Sequence, residues 1–215
     1  HRLIAEVVDE LGIREKVIAV APVGCAVIAY DYWDFDCSEA AHGRALAVAT
    51  AIKRVRPEAI VFTYQGDGDL AAIGTGETIH AANRGENLTV VFINNAVYGM
   101  TGGQMAPTTL VGQKTATTLD GRSAKLQGYP LKISEILALL PAVKYVERTS
   151  IQSPQDILRT KRAIRQAFSN QIDNLGFSFV EILSPCPTYW GKSPVESLNR
   201  IKDVIIKEFP LGRIK

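Results

Sequence analysis

The sequence predicts an α/β fold with a doubly wound, mostly parallel sheet, in a single domain that spans residues 1–215. Short apolar segments rich in β-branched residues alternate with segments whose apolar residues recur at helical spacing. Such alternation is typical of βαβ units, in which helices cover both faces of a parallel sheet. Hydrophobic residues make up 47% of the chain and charged residues 21%, which excludes the disordered and collagen-like classes.

The helices are predicted from apolar periodicity together with residues that suit helix ends. Ser38 and Ser153 are suitable N-caps, whereas Gly12 and Pro57 suit positions just beyond a helix. A helix pattern that is already running at His1 leads us to expect a chain truncated at its N-terminus. The predicted helices are 2–11, 38–56, 70–84, 133–140, 154–169 and 193–207.

The strands are predicted from short apolar runs with turn residues on either side. The longest apolar run, Val17 to Tyr30, contains Pro22 and Gly24, and its 14 residues fall short of the about 20 that cross a membrane. We therefore interpret it as two buried strand-like pieces. The predicted strands are 17–20, 59–64, 88–93, 143–146 and 177–183.

Charge and cysteine content exclude several functional classes. With 24 Lys and Arg residues against 22 Asp and Glu residues, the net charge of +2 does not indicate a nucleic-acid-binding surface. Three cysteines are too few, and odd in number, for a secreted disulfide framework. No signal peptide is evident, so we expect a protein of the reducing cytoplasm that contacts neither membrane nor nucleic acid.

The Gly-Asp-Gly-Asp sequence at 66–69 lies between a predicted strand and a predicted helix. Glycines and a helix N-terminus at such a turn are suited to a phosphate group. The spacing also matches a weak nicotinamide-dinucleotide fingerprint. However, Asp67 and Asp69 would repel a pyrophosphate unless a cation lay between them, and Mg²⁺ prefers carboxylate and phosphate oxygens. The motif therefore predicts a metal-bound diphosphate.

A second ligand is expected from the end of the neighbouring strand. Asn94 and Asn95 follow the strand 88–93, and Asn95 comes 28 residues after Asp67. One helix and one strand fill that interval, so both positions reach the same edge of the sheet. The segment 96–130 has no clear period, and structureless segments this long usually serve function.

These motifs resemble one known family. A Gly-Asp-Gly sequence followed after nearly thirty residues by Asn resembles the thiamine diphosphate signature. The segment 94–109, Asn-Asn-Ala-Val-Tyr-Gly-Met-Thr-Gly-Gly-Gln-Met-Ala-Pro-Thr-Thr, is similar to the thiamine-binding β subunit of the 2-oxoacid:ferredoxin oxidoreductases. The likeness extends over nearly the whole chain, including the segments 23–25, 42–45 and 184–187. It implies a thiamine diphosphate-binding fold of the pyrophosphate-binding type.

The resemblance implies a role for individual residues. The Mg²⁺ ligands would be the Asp67 carboxylate, the Asn95 side chain and the Val97 carbonyl, and His42 would contact thiamine or substrate as a catalytic residue. The other positions implied to bind the cofactor are Gly43, Gly66, Gly68, Asp69, Tyr98, Thr101 and Gly102, with the hydroxyl and N–H groups around Thr101 suited to phosphate.

The family also carries a [4Fe-4S] cluster near the thiamine, held by four thiolates. Cys25 and Cys186 match two of these ligands, whereas the other two belong to a Cys-Pro-x-Cys-Gly motif that would precede His1. We therefore expect the cluster in the intact protein rather than in these residues alone. Cys37 has no counterpart, and we interpret it as a small apolar residue.

The implied reaction is the coenzyme A-dependent oxidative decarboxylation of a 2-oxo acid, with electrons passed through Fe–S centres to ferredoxin. The glutamate at the thiamine pyrimidine ring belongs in this family to an α-type subunit, and a smaller ferredoxin-like Fe–S subunit completes the electron path. A hetero-oligomer is therefore expected. Small motif variants favour a branched-chain 2-oxo acid or 2-oxoglutarate as substrate. Arg44 and Lys114 are the cations considered for a dicarboxylate.

Three alternatives remain open from the sequence. A non-oxidative thiamine-dependent decarboxylase or synthase domain would share the motif, although such enzymes are usually longer chains. A nicotinamide- or nucleotide-binding module would want an acidic residue where Asn94 and Asn95 stand. A scaffold subunit that has lost its cofactor is the third alternative, against which intact Asp67 and Asn95 argue.

Overall fold

The computed structural model describes residues 1–215 and contains seven strands that form one sheet. The strands are β1 (Val17–Pro22), β2 (Asp36–Ala40), β3 (Ile60–Gly66), β4 (Thr89–Asn94), β5 (Val143–Ser150), β6 (Phe177–Leu183) and β7 (Gly212–Arg213). Their order is β2-β1-β3-β4-β6-β5-β7, and all neighbours are parallel except β5 and β7. The predicted α/β fold with a mostly parallel sheet is confirmed.

Helices lie on both faces of this sheet. They are α1 (Arg2–Leu11), α2 (Ala45–Val55), α3 (Thr75–Asn83), α4 (Ala124–Gln127), α5 (Ile133–Ala138), α6 (Pro154–Ile172), α7 (Pro187–Trp190), α8 (Pro194–Arg200) and α9 (Ile206–Glu208). None of them combines the length and the apolarity that a bilayer-spanning helix needs.

The strand order reverses between β1 and β3. From β1 the chain passes outward to β2, and then returns across β1 to build β3 and β4 on its other side. A crevice forms at such a reversal, beyond the carboxyl ends of the strands, because the connections leave in opposite directions. The topology therefore predicts the binding site of this domain at the ends of β1 and β3.

One face of the sheet packs against α2, α3 and α5. Val61, Val90 and Phe179 of neighbouring strands contact the same buried cluster as Leu46 of α2 and Leu137 of α5. These side chains are at most 1% exposed. Burying a large apolar side chain of this kind contributes about 1.5–3 kcal/mol, so this cluster fixes α2 and α5 on the sheet.

The opposite face packs against α1 and α6. Phe62, Val91 and Val180 each come directly after a residue that packs on the first face. Their side chains point to the opposite face because successive side chains of a strand alternate. They meet Val7 of α1 and Phe168 of α6. Because both faces are buried, the central strands are mostly apolar on both faces, which is why the sequence identifies them.

The predicted helix 38–56 is wrong at its start. Residues Asp36–Ala40 form β2, an edge strand that pairs in parallel with β1, and the helix begins only at Ala45. Local sequence favours a cap at Ser38, but pairing with β1 satisfies more backbone groups. The second strand-like piece of the apolar run is likewise a 3-10 helix, Cys25–Asp31.

The predicted helix 70–84 is divided in two. A π-helical turn, Asp69–Ile73, precedes α3, and the division falls at Gly74. A Cβ at Gly74 would lie 2.9 Å from the carbonyl oxygens of both Asp69 and Gly43, so the backbone approaches there too closely for any other residue. This close approach brings the segment before α2 against the start of α3.

The other predicted elements are confirmed with small shifts at their ends. The strand 88–93 is observed as Thr89–Asn94, and the helix 154–169 extends to Ile172 with Ser153 as its N-cap. The helix 193–207 is observed as α8, a π-helical turn Ile201–Ile205 and α9. Composition gave no signal for β7, which has only two residues.

The buried side chain of Gln171 takes the place of a strand partner near the start of β3, where β4 is too short to pair. The pairing of β3 with β4 begins at Phe62, so the main chain of Val61 has no strand partner on that side. The amide of Gln171, from α6, accepts from Val61 N at 2.7 Å and donates to Val61 O at 2.8 Å. Without Gln171 both groups would be buried unpaired, at a cost of about 1–3 kcal/mol each.

A buried ion-pair network joins β5, β6 and α5 beneath the end of β4. Arg148 and Glu181 are each 1% exposed, and Arg148 Nε lies 2.7 Å from Glu181 Oε2. The guanidinium also forms a bidentate pair with Glu135 at 2.8 and 2.6 Å. Glu181 in turn accepts from Asn94 Nδ2 at 2.7 Å, and Ser134 donates to its other oxygen. The network therefore holds Asn94 at the end of β4.

We expect Arg148→Met to lower the free energy of unfolding by about 3–5 kcal/mol, because Glu181 would lose its counter-charge in the core. Chemical denaturation of the intact protein measures this change. The control is Arg159→Met on α6, whose side chain is 51% exposed and should change stability by no more than about 0.5 kcal/mol. Equal losses in the two variants would contradict the role given to the network.

Candidate functional site

A cavity opens at the predicted crevice, beyond the ends of β1, β3 and β4. It encloses about 780 Å³ that no protein atom fills, part of it open to solvent. Its walls come from residues 23–26, 64–69 and 97–101 together with His42, Ile93 and Asn95. The structure therefore brings the Gly-Asp-Gly-Asp motif and Asn95 to one site, as their spacing predicts, whereas Asn94 lies outside the cavity wall.

Asp67 is a buried carboxylate of this cavity that has no cationic partner. Its side chain is 3% exposed, and no Lys, Arg or His nitrogen lies within ion-pair distance. The Thr108 hydroxyl donates to Oδ2 at 2.6 Å, and Gly68 N donates to Oδ1 at 2.9 Å. Burial raises the pKa of Asp67 to about 6, against the lowering effect of these donors and of the main-chain amides of Ala96 and Val97.

The turn 95–97 faces Asp67 in a strained conformation. Ala96 is fully buried and has φ of 58°, a left-handed value that costs energy for any residue with a Cβ. Its N–H donates to Asn94 Oδ1 at 3.1 Å. Its carbonyl accepts from Thr109 at 2.8 Å and from Gln113 at 2.9 Å. Hydrogen bonds from outside the turn therefore hold this conformation.

The residues present fit a divalent cation. Asp67, Asn95 and Val97 all line the cavity, and the Val97 carbonyl accepts no hydrogen bond within the protein. The Asn95 side-chain oxygen accepts only a 3.2 Å bond from Val97 N. One carboxylate and two neutral oxygens leave further positions for phosphate and water, which is the ligand set that Mg²⁺ favours. A buried carboxylate without a counter-charge also favours a cation beside it.

Asp69 has a different position from Asp67. Its carboxylate accepts from Gly43 N and from the Gln65 side chain, and His42 Nδ1 lies 2.6 Å from Oδ1. Burial raises the pKa of Asp69, while these contacts oppose the shift. His42 thus lies directly beside Asp69 and lines the cavity, with its side chain 31% exposed.

Gly68 has no room for a side chain. A Cβ there would lie 2.1 Å from the Tyr98 ring, whose hydroxyl donates to Gly68 O at 3.2 Å. Tyr98 itself lines the cavity. Close packing of this ring on the glycine fixes the turn that follows β3, with its main chain toward the cavity.

Not all residues predicted to bind the cofactor reach the cavity wall. Gly66 and Thr101 line it, but the Thr101 hydroxyl donates to Gln104 at 2.7 Å. Gly102 and Gly43 are not part of the wall. Gly43 acts instead through its N–H on Asp69, at a φ of 77° that favours glycine.

Two cysteines converge beside the cavity. A Cβ on Gly99 would lie 3.2 Å from Cys25 Sγ and 3.8 Å from Cys186 Sγ, so both sulfurs face the same small residue. Burial raises the pKa of both thiols, and the proximity of Cys25 raises that of Cys186 further. Cys37 lies apart on β2, where its thiol donates to Phe35 O at 3.3 Å.

Sequence reasoning missed several supporting residues. Thr108 lies within the recognised segment 94–109, yet only the fold shows that it donates to Asp67. Trp190 donates from its indole to Asn95 O at 3.1 Å, across 95 positions in sequence. Arg44 and Lys114 do not reach the cavity wall, and Arg44 pairs with Glu77 at 2.8 Å. Contacts over such separations leave no local signal in a sequence.

Comparisons with known proteins agree with this geometry. The family described as "Thiamine pyrophosphate enzyme, C-terminal TPP binding domain" matches residues 23–182. Over all 215 residues the chain is 53% identical to the ketoisovalerate oxidoreductase subunit VorA of Methanothermobacter thermautotrophicus, and covers 45% of that protein. It is 40% identical over 190 residues, 88% of the chain, to the 2-oxoglutarate synthase subunit KorB of Archaeoglobus fulgidus, and covers 67% of it.

A solved structure shares the fold. The 2-oxoglutarate:ferredoxin oxidoreductase from Magnetococcus marinus matches 94% of this chain with a TM-score of 0.78 and 28% identity, over 65% of its own chain. The chain thus spans about half the length of the VorA relative and two thirds of the others. It belongs to the thiamine-diphosphate-binding family, as a β-type subunit of the 2-oxoacid:ferredoxin oxidoreductases.

Proposed function

We propose that this chain binds thiamine diphosphate with Mg²⁺ as the β subunit of an enzyme that oxidatively decarboxylates a 2-oxo acid with coenzyme A. One observation carries the proposal: the buried Asp67, without a cationic partner, faces the turn 95–97, in which the Val97 carbonyl accepts no hydrogen bond. In our proposal Asp67, Asn95 and Val97 hold the metal. The family match favours thiamine over the nicotinamide alternative.

When bound, thiamine diphosphate supplies an electron sink for decarboxylation. The chain's own residues then have defined tasks. Gly66 and Gly68 present main chain to the diphosphate, with Tyr98 beneath them. His42, beside Asp69, is available on the cavity wall to contact thiamine or substrate. These tasks are positioning and proton handling, which are the contributions that a protein makes to cofactor chemistry.

We also propose that Cys25 and Cys186 are two ligands of a [4Fe-4S] cluster in the intact protein. Their sulfurs converge on Gly99, two residues from Val97, so a cluster there would adjoin the cofactor. Four thiolates hold such a cluster, and Cys37 lies apart, so the other two must come from outside these residues. The cluster would pass electrons singly toward ferredoxin.

The partners that we propose would supply groups that the cavity does not contain. It is open to solvent on one side, and its only carboxylates are Asp67 and Asp69, both already engaged. The glutamate for the pyrimidine ring would therefore come from an α-type subunit that covers this opening. A ferredoxin-like Fe–S subunit and ferredoxin would complete the electron path, in the cytoplasm.

The cavity favours a branched-chain 2-oxo acid over 2-oxoglutarate. No Lys or Arg is among its lining residues, whereas Val23, Ala26, Ile93 and Met100 offer apolar wall. A second carboxylate on the substrate would find no cation there. The relatives named for ketoisovalerate are also more similar to this chain, at 53% and 50% identity, than the 40% identical 2-oxoglutarate synthase subunit.

We expect Asp67→Asn to weaken metal-dependent binding of thiamine diphosphate by more than about 100-fold, since even outer-shell changes cost about 10- to 100-fold in metal affinity. Calorimetric titration of the intact protein, with and without Mg²⁺, measures this. Asp173→Asn, at an exposed position beyond α6, is the matched control and should bind normally. Unchanged affinity in Asp67→Asn would overturn the proposed metal site.

We expect Cys186→Ser to abolish or strongly reduce the broad visible absorption of an Fe–S cluster in the anaerobically purified protein. A lost thiolate leaves a four-ligand cluster incomplete. Cys37→Ser removes a cysteine that is remote from the cavity and should leave the spectrum unchanged. The proposal fails if both variants, or neither, lose the absorption.

We expect kcat/KM for 2-oxoisovalerate to exceed that for 2-oxoglutarate by about 10- to 100-fold. A buried carboxylate without a partner costs about 1–3 kcal/mol or more, and about 1.4 kcal/mol corresponds to a factor of ten. Steady-state rates with a ferredoxin or viologen acceptor measure the ratio. A preference for the dicarboxylate would contradict the assignment of a branched-chain substrate.

A further inference from the structure

The segment 104–130 folds around a buried arginine. Arg122 is 5% exposed, and no carboxylate lies within ion-pair distance of its guanidinium. Its N–H groups donate instead to main-chain carbonyls, at distances of 2.5 to 3.0 Å: Pro107, Thr109, Gln127, Gly128 and Tyr129. A cation buried without a counter-charge is costly, so its many hydrogen bonds must offset that cost.

The same segment contacts both halves of the proposed metal site. Thr108 donates to Asp67 Oδ2 at 2.6 Å. Thr109 and Gln113 donate to the carbonyl of Ala96, at 2.8 and 2.9 Å. Asp67 follows β3 and Ala96 follows β4, so the hydrogen bonds of this one segment link the ends of the two strands.

Arg122 fixes the part of the loop that makes these contacts. Its Nη1 binds the carbonyls on either side of Thr108, those of Pro107 at 2.8 Å and of Thr109 at 2.5 Å. The main chain of Arg122 also holds Gln113 in place, because Arg122 N donates to Gln113 O at 3.0 Å. The guanidinium therefore sets where Thr108, Thr109 and Gln113 lie relative to the site.

We infer that Arg122 is a positioning residue for the metal: through Thr108, Thr109 and Gln113 it holds Asp67 and the strained Ala96 turn in ligating geometry. The inference rests on the proposed function, in which Asp67 and the turn 95–97 hold the cation. Lysine cannot replace this arginine fully, because an ammonium has three donors on a point charge and no planar fork.

The test uses Mn²⁺ as the probe in the intact protein, in the presence of thiamine diphosphate. Mn²⁺ affinity is measured by electron paramagnetic resonance, and Tm is measured on the same samples. Arg122→Met is expected to weaken Mn²⁺ binding about 10- to 100-fold, as for other residues that orient ligands, with Arg122→Lys intermediate. Excess Mn²⁺ should restore thiamine diphosphate binding in both variants.

The control separates positioning from stability. Phe168→Leu opens space in the opposite core, between the sheet and α6, and should lower Tm without changing Mn²⁺ affinity. A lowered Tm with wild-type Mn²⁺ affinity in Arg122→Met would overturn the inference. If Arg122→Met does not fold, Arg122→Lys decides in the same way. If the wild-type protein itself binds no Mn²⁺ with thiamine diphosphate, the proposed function fails first, and the inference with it.

Discussion

The organisation of this domain depends on a carboxylate buried without a cationic side chain. Asp67 stands at the end of β3, 3% exposed, and only a hydroxyl and main-chain amides donate to it. Such a group raises the free energy of the protein alone, as its raised pKa shows. In the proposed site a divalent cation would remove that penalty, and a diphosphate would balance the charge of the cation. The free energy lost by burying Asp67 alone would thus be recovered when the proposed cation binds, which strengthens that binding.

Two buried arginines hold this site from opposite sides. Beneath it, Arg148 is neutralised by Glu181 and Glu135, and Glu181 orients Asn94 at the end of β4. Above it, Arg122 is bound only by carbonyls and orders the loop that donates to Asp67. Arg148 is held by ion pairs with carboxylates, whereas Arg122 is held by hydrogen bonds to main-chain carbonyls. Together they keep the turn after β4 in a conformation that its own sequence would not adopt, since alanine disfavours positive φ.

The sequence predicts the parts of this structure that local patterns encode. The central strands are apolar because both faces are covered, and the 28-residue interval from Asp67 to Asn95 correctly indicates a shared sheet edge. The start of the second helix was missed because pairing with β1 overrides the local cap signal at Ser38. The role of Arg122 has no local signal at all: an arginine in a polar loop is normally exposed, and only the tertiary fold buries it.

The segment after β4 joins the two chemical ends of the cavity. Val97 lines the cavity with its main-chain amide acting on Asp67, and two residues later Gly99 faces the sulfurs of Cys25 and Cys186. A Cβ at Gly99 would lie 3.2 Å from Cys25 Sγ, which is closer than an ordinary contact, so glycine leaves room for this sulfur beside the turn. A short separation between the proposed cofactor and the proposed cluster would favour electron transfer. The segment after β4 would fix that separation, because it adjoins both. The turn that demands strain at Ala96 is therefore also the one that sets the distance from the proposed metal to the proposed cluster.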